Sequence, residues 1–415
     1  MADSTQRRES RLTEPVIRRN FALLSLAVVV VLTMTTWFSA TAVIPQVTDD
    51  WGLSRTEKSL LTIAVQLGFV TGALVSAFFN LSDVIPARLL LFWAAMSAAA
   101  ANFVIVFADG PEIALPMRFL TGFCLAGVYP VALKLVATWF REGRGMALGL
   151  MVGALTLGSA LPHLVNGLGG VGWQYVIIAT SVLTLAGAAI TAWLVREGPF
   201  PFPVAVFDPR QAGSVFANRG VRLASLGYFG HMWELYAMWA WFLAFFSDRL
   251  VKSDVANSDQ LAALATFAVI GIGGIGSYAA GLLGDSWGRT RTTAAAMAVS
   301  GACCILIGVF YAAPPVIVLV IGLVWGLAVV ADSAQFSTIV SEVADQSYVG
   351  TALTLQLAVG FSLTVITIWL VPVLESSVGW RWTFAFLAPG PLLGIIAMLA
   401  LLRSPEKRLI AGGRG

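Results

Sequence analysis

Apolar residues in this chain come in blocks of about 20, the length at which an α-helix crosses the hydrocarbon core of a bilayer. Blocks bounded by charges, glycine or proline predict spans at 21–47, 58–80, 88–108, 113–138, 144–165 and 172–195, and again at 221–247, 259–283, 290–312, 315–339, 348–373 and 380–402. The period-two alternation of outer-membrane barrel strands is not found. The first block runs from Phe21 to about Val47. It is too long for a signal-peptide core and no small-residue cleavage site follows it, so it is expected to remain as the first span. The expected organisation is a polar tail at 1–20, a six-helix bundle at 21–195, a linker at 196–220, a second six-helix bundle at 221–402 and a tail at 403–415. The linker holds Pro199, Pro201, Pro203 and Pro209 and is too short and irregular to fold alone.

Composition sharpens this picture. Of the 415 residues, 58% are hydrophobic and 11% charged, against about 25% charged in soluble domains; mean hydropathy is +0.85. A soluble fold of this length could not cover its surface with so few charges. The charges are also sided. If the N-terminus is cytoplasmic, the tails and the loops after even-numbered spans hold 18 of the 25 Lys and Arg residues, among them Arg7, Arg8, Arg11, Arg18, Arg19, Arg141 and Arg144. The other side holds Arg55, Lys58, Arg249, Lys252 and Arg381. This bias predicts a multi-pass protein of a bacterial cytoplasmic (inner) membrane with both termini inside and an even number of spans. Cys124, Cys303 and Cys304 fall within apolar blocks and read as packing residues, with neither disulfide nor metal expected. No P-loop or other cofactor motif is found, which argues against an ATP-driven pump. Gly271-x-Gly273-Gly274-x-Gly276 lies inside a span and reads as close helix packing.

The two halves carry related anchors. Asp83, after the second span, and Asp285, after the eighth, stand 202 residues apart; Gly172-Trp173 and Gly379-Trp380, opening the sixth and twelfth spans, stand 207 apart. Parallel duplicated halves recur among transporters. The run Gly281-Leu-Leu-Gly-Asp285-Ser-Trp-Gly288-Arg289 resembles the loop signature of the major facilitator superfamily, with Gly281, Leu283, Asp285, Gly288 and Arg289 in register. The first-half copy keeps Leu81, Asp83 and Arg88, with Phe79, Val84 and Pro86 at positions where Gly, Arg and Gly are usual. Arg118-Phe-Leu-Thr-Gly122 resembles the R-x-x-x-G motif of the same superfamily. Trp37-Phe38-Ser39 and Ile44-Pro45-Gln46 are loosely similar to a cyanate- or nitrate-type bacterial branch, although the arginines that nitrate porters carry on spans 2 and 8 are missing. The resemblance implies an all-α membrane protein of twelve helices in two pseudo-symmetric bundles. It also implies a loop whose Asp–Arg pair latches one state of alternating access, and a cavity lined by spans 1, 4, 7 and 10.

Ionisable residues inside a span cost about 2.5–3.5 kcal/mol each on insertion scales, so each is a functional candidate. Glu234 lies about 13 residues into the seventh span, roughly 20 Å along a helix. His231 is one turn earlier, and Met238 and Trp241 continue the stripe. Glu234 and His231 could relay a proton, bind a cation together with Trp233, Tyr236 and Trp239, or form a structural pair. Asp332, with Gln335 one turn on, is a proton or solute candidate in the tenth span, or pins a helix end. Arg118 could meet a solute anion or a buried carboxylate. Thr33, Thr36, Trp37 and Ser39 add polar and aromatic surface on the first span. Lys134 reads as snorkelling to the inner membrane surface, and His163 as interfacial. Gln66 and Gln356 read equally as interhelical hydrogen bonds or ligands. Gly149-x3-Gly153-Ala154-x3-Gly158 partly resembles an antiporter motif and more simply reads as a helix-packing face.

These features favour a secondary transporter of a small solute, coupled to protons and leaning to a small organic anion. Efflux of amphipathic or cationic compounds is the alternative, and an intramembrane enzyme is distant because only two His exist and no H-E-x-x-H or G-x-S-x-G is found. The expected partners are the solute, protons and lipid; nucleic acid is not among them, and a monomer is expected.

Overall fold

The computed structural model describes the backbone of residues 2–140, 144–169, 172–200 and 207–415 and, within these, the side chains from Arg18 onward except those of Arg144 and Pro209. The readings that used Arg7, Arg8, Arg11, Arg141, Arg144, Pro201, Pro203 and Pro209 therefore fall wholly or in their side chains outside what is described. Twelve helical spans follow one another: α1 (Ala2–Met34), α2 (Arg55–Phe78), α3 (Ala87–Phe107), α4 (Pro111–Ala137), α5 (Arg144–Gly167), α6 (Trp173–Leu194), α7 (Arg219–Val251), α8 (Ser258–Trp287), α9 (Arg289–Val309), α10 (Pro315–Val343), α11 (Val349–Val378) and α12 (Trp380–Leu402). Ten of them are long and apolar enough by composition to cross a membrane, counted among the described residues; α1 and α7 are not among the ten. Helix α7 carries His231, Glu234 and Asp248 along its length.

Local chemistry sets where these helices start and break. Helix α2 opens on a capping box: the Glu57 amide donates to Ser54 Oγ and the Ser54 amide to Glu57 Oε2. Helix α1 stops at Met34, and an irregular stretch leads through a 3₁₀ turn (Thr41–Val43) into a short helix, Ile44–Trp51. Three other spans are interrupted midway. Helix α4 breaks between Leu125 and Tyr129, α8 at Ile272 between two glycines, and α10 at Asp332. Gly supplies little helix propensity, which accounts for the second of these.

The helices form two bundles. In the first, α1 packs on α5 and α6, α2 on α4, and α3 on α4 and α6; in the second, α7 packs on α11 and α12, α9 on α10 and α12, and α8 on α10. Two seams join them, α5 against α8 and α2 against α11. The α5–α8 seam is lined by the small residues at four-residue spacing: a Cβ at Gly153 would stand 3.0 Å from the Gly274 carbonyl oxygen, and Ser277 Oγ donates to the Gly149 carbonyl at 3.1 Å. Both ends of the chain lie on one face. Arg19 sits over the Phe140 ring beside the start of α5, and the Arg414 guanidinium donates to the Asp285 carbonyl at 2.6 Å. That face is called the terminal face below, and the other the far face.

Candidate functional site

The first bundle spends its buried arginine internally. Arg118 on α4 is fully buried and directs four of its five N–H donors into the bundle. Nε donates to the Leu61 carbonyl (3.2 Å), Nη1 to the Thr36 carbonyl (2.7 Å) and Ser39 Oγ (3.1 Å), and Nη2 to the Trp37 carbonyl. The Thr36 and Trp37 carbonyls lie just past the end of α1, where helical partners run out, and that of Leu61 lies on α2. Arg118 therefore pins the irregular stretch that presents Trp37. Ser39 Oγ in turn donates to Asn102 Oδ1 (2.6 Å), whose amide donates to Ser181 Oγ (2.9 Å) and Thr180 Oγ1 (3.2 Å). Thr36 Oγ1 donates to the Thr33 carbonyl at 3.1 Å. Thr36 and Ser39 thus belong to an intrabundle network, and Asn102, its hub, is a polar residue that sequence reasoning passed over.

The second bundle gathers the ionisable candidates, though not in the expected pairing. His231 and Glu234 do not meet. His231 Nδ1 stands 2.8 Å from Asp332 Oδ1 at the break in α10, off the line of a full hydrogen bond, and its Nε2 is 3.0 Å from Ser333 Oγ. Glu234 points elsewhere: Oε2 accepts from Ser300 Oγ (3.0 Å), and Oε1 from Cys304 Sγ (3.1 Å) and the Trp325 indole. Three residues along a helix rotate a side chain by about 300°, so the two faces diverge, one to α10 and the other to α9 and α10. Met238 is buried on α7, and the Trp241 indole donates to the Ile368 carbonyl at 2.9 Å. Gln335 is held at the terminal face, its amide nitrogen on the Ala280 carbonyl (3.2 Å) and its oxygen accepting from Arg289 (3.3 Å).

The loop motifs form two ion-paired clusters. Arg289 Nη2 lies 3.0 Å from Asp285 Oδ1 and 3.1 Å from Glu342 Oε1. Gly288, at φ +110°, makes the tight turn into α9. The Asp285 carboxylate abuts Gly145 at the start of α5, across the seam, where a helix N-terminus favours negative charge. In the first half, Asp83 pairs with Lys134 rather than Arg88, and Lys134 Nζ also donates to the Ser82 carbonyl at 2.6 Å. Lys134, expected to snorkel, takes the place beside Asp83 that the motif gives to an arginine.

Between the bundles stands a knot of rings. Trp37 and Phe69 from the first half pack against Tyr236 and Phe361 from the second, with centroids 4.8–6.0 Å apart, and Phe38 packs against Tyr236 and Trp239. The indole N–H groups of Trp37 and Trp239 are buried and have no hydrogen-bond partner among the described residues. The same holds for the Gln66 carboxamide and for both nitrogens of His163. Sequence reasoning placed Trp37 at the site, but Phe38, Phe69 and Phe361 offered no signal beyond their apolar character.

The family model described as the Major Facilitator Superfamily matches residues 26–248 and 235–414. A gallate transporter of Pseudomonas putida is 22% identical over 300 residues, covering 64% of this chain; the chain spans 65% of that relative's length. Among solved structures, the nucleoside transporter NupG superimposes with a TM-score of 0.69 at 14% identity, covering 92% of this chain and 99% of that one. A bacterial homologue of the human lysosomal transporter Spinster, inward-facing and unoccupied, gives 0.65 at 15% identity, covering 92% and 95%.

Proposed function

The chain belongs to the major facilitator superfamily, and from that premise we propose that it is a secondary transporter moving a small, ring-bearing organic anion between its two bundles. The observation that carries this reading is the aromatic knot at the seam. Ring faces from both halves suit a planar solute, and the buried indole N–H groups of Trp37 and Trp239 are donors suited to its oxygens. The nearby acids are turned away from the knot, Glu234 into hydrogen bonds with α9 and α10 and Asp332 onto His231. A cage of donors and rings without a facing carboxylate favours an anion over a cation. Similarity to a gallate transporter supports a hydroxylated aromatic carboxylate.

Proton coupling is assigned to Glu234 and the His231–Asp332 pair. Three ionisable groups close together in one bundle can exchange protons as their neighbours shift. Alternating access would then be a rocking of the bundles about the α5–α8 and α2–α11 seams, with the Asp285 and Asp83 latches biasing the balance. In this reading the terminal face is the cytoplasmic side of a bacterial inner membrane, as the excess of Lys and Arg in the tails and even-numbered loops supports, and the working unit is a monomer. The test is uptake of gallate and 4-hydroxybenzoate by the purified full chain in liposomes under an imposed pH gradient, with tetraphenylphosphonium in parallel. Acid-outside accumulation of the hydroxybenzoates is expected. Transport of the cation alone would replace this reading with efflux of amphipathic cations.

A further inference from the structure

His163 is the ionisable side chain the mechanism has not used. It is fully buried on α5, and neither ring nitrogen has a partner among the described residues. Its depth follows from its helix-mates. One turn and more before it, Gly158 lies against Val31 and Met34 of α1; three residues after it, Asn166 Nδ2 donates to the Ala42 carbonyl. His163 therefore stands level with Trp37 and Phe38. Its direction follows in the same way. Gly158 and Asn166 mark the face of α5 turned to α1, while Gly153 and Gly167 mark the face against Gly274 and Leu264 of α8. At about 100° per residue, His163 falls between those two faces, on the side turned to the second bundle. A cleft of about 230 Å³ opens from the far face one turn beyond it, lined by Asp49, by Asn166 of α5, by Leu243 and Ser247 of α7 and by Asp259 of α8; His163 lies beneath this cleft rather than in its wall. One turn below Leu243 on α7 is Trp239.

We propose that His163 supplies the positive charge of the solute site: its imidazolium pairs with the solute's anionic group while the rings of the knot hold the solute's planar body. This rests on the anion reading above. The other charged groups on helices packed against α5 are committed elsewhere or stand at helix ends, as Glu112 does beside Gly110 at the start of α4. Lys134 of α4 is on Asp83, Asp259 of α8 accepts from Ser247, and Asp285 and Glu342 hold Arg289. Asp332 faces His231, and Arg19 lies over Phe140 at the terminal face. Arg18 stands beside Arg19, Tyr175 opens α6 and Tyr278 lies on the exposed side of α8, while Tyr129 is near Tyr228. Arg118 is bound to carbonyls. An imidazolium buried without a counter-ion is costly, and so is a buried anion; together they are neutral. Solute and proton therefore bind His163 as a pair.

The test is gallate binding by the full chain, followed by tryptophan fluorescence at about pH 5.5 and about pH 7.5, on either side of the ordinary histidine value. Wild type, His163→Gln and His163→Arg are compared, with the uncharged amide gallamide as control. Wild type is expected to bind gallate more tightly at the lower pH. His163→Gln should weaken gallate binding at that pH by about tenfold, remove its pH dependence and leave gallamide binding intact. His163→Arg should bind gallate alike at both values. In the unmutated chain, bound gallate should protect His163, and not His231, from diethylpyrocarbonate, a readout that needs no variant. Wild-type gallate affinity and pH profile in His163→Gln would overturn the assignment, as would equal loss of gallate and gallamide or modification of His163 unaffected by gallate. If the wild type binds no aromatic carboxylate at all, the solute class itself falls, and the assignment with it.

Discussion

At the scale of single residues, the buried charges divide into those that hold structure and those free to act. Arg118 holds structure. Removing it strands the Trp37 carbonyl and takes one donor from those of Thr36 and Leu61, and a carbonyl left unpaired costs about 1–3 kcal/mol. Arg118→Ala should therefore lower the thermal unfolding midpoint of the detergent-solubilised protein by several degrees, and Arg118→Lys should recover part of it; an unchanged midpoint would remove the pinning role. Glu234→Gln keeps the shape and can still accept from Trp325, so folding and gallate exchange should survive while pH-driven accumulation is lost. Equal loss of exchange and accumulation would place Glu234 in binding rather than coupling. Which residues would be buried and charged was readable from the chain, because a charge in an apolar block is conspicuous. Their partners were not. Spacing on one helix suggested His231 for Glu234, whereas its actual partners, Ser300, Cys304 and Trp325, lie on helices far along the sequence.

At the scale of elements, hydropathy located the spans because about 20 apolar residues are both necessary and conspicuous in a bilayer. It could not locate their breaks equally well. The breaks in α8 and α4 hold glycine, Gly271 and Gly273 in the one and Gly127 in the other, but that in α10 occurs at Asp332 with no Gly or Pro at the kink itself. Asp332 became interpretable once the break placed it opposite His231. Glycines where helices cross were legible as small residues, though not as to which crossing each served. A Cβ on Gly326 would lie 1.8 Å from the Val269 carbonyl oxygen, and one on Gly276 2.0 Å from that of Leu327. Both are backbone contacts inside the second bundle that cannot give without moving a helix. Gly326→Ala and Gly276→Ala should each destabilise the protein by about 1–3 kcal/mol. Gly213→Ala, with open space at its Cβ, should not. Size-exclusion profiles after graded heating would rank the three, and equal behaviour would mean the crossings relax freely.

At the scale of the whole molecule, the question is whether the bundles separate at their ends while staying joined midway. The α5–α8 seam is closed at three levels: Gly145 meets Asp285 at the terminal face, Gly153 meets Gly274 midway, and Gly167 meets Leu264 towards the far face. If the halves rock about the middle of this seam, each end must open in turn while the middle keeps contact. The three levels are close enough to test with disulfides, which require Cβ atoms about 3.5–4.5 Å apart. With Cys124, Cys303 and Cys304 first replaced by Ser, the pairs Gly145→Cys with Asp285→Cys, and Gly167→Cys with Leu264→Cys, should each abolish gallate uptake in liposomes on oxidation and regain it on reduction. The central pair, Gly153→Cys with Gly274→Cys, should cross-link with far less effect. The reduced form of each pair is its own control for the loss of the native side chains, including the Asp285 latch. Uptake persisting with either end bridged would mean the seam does not open at that end. Block at all three levels alike would replace rocking about a central contact with separation along the whole seam.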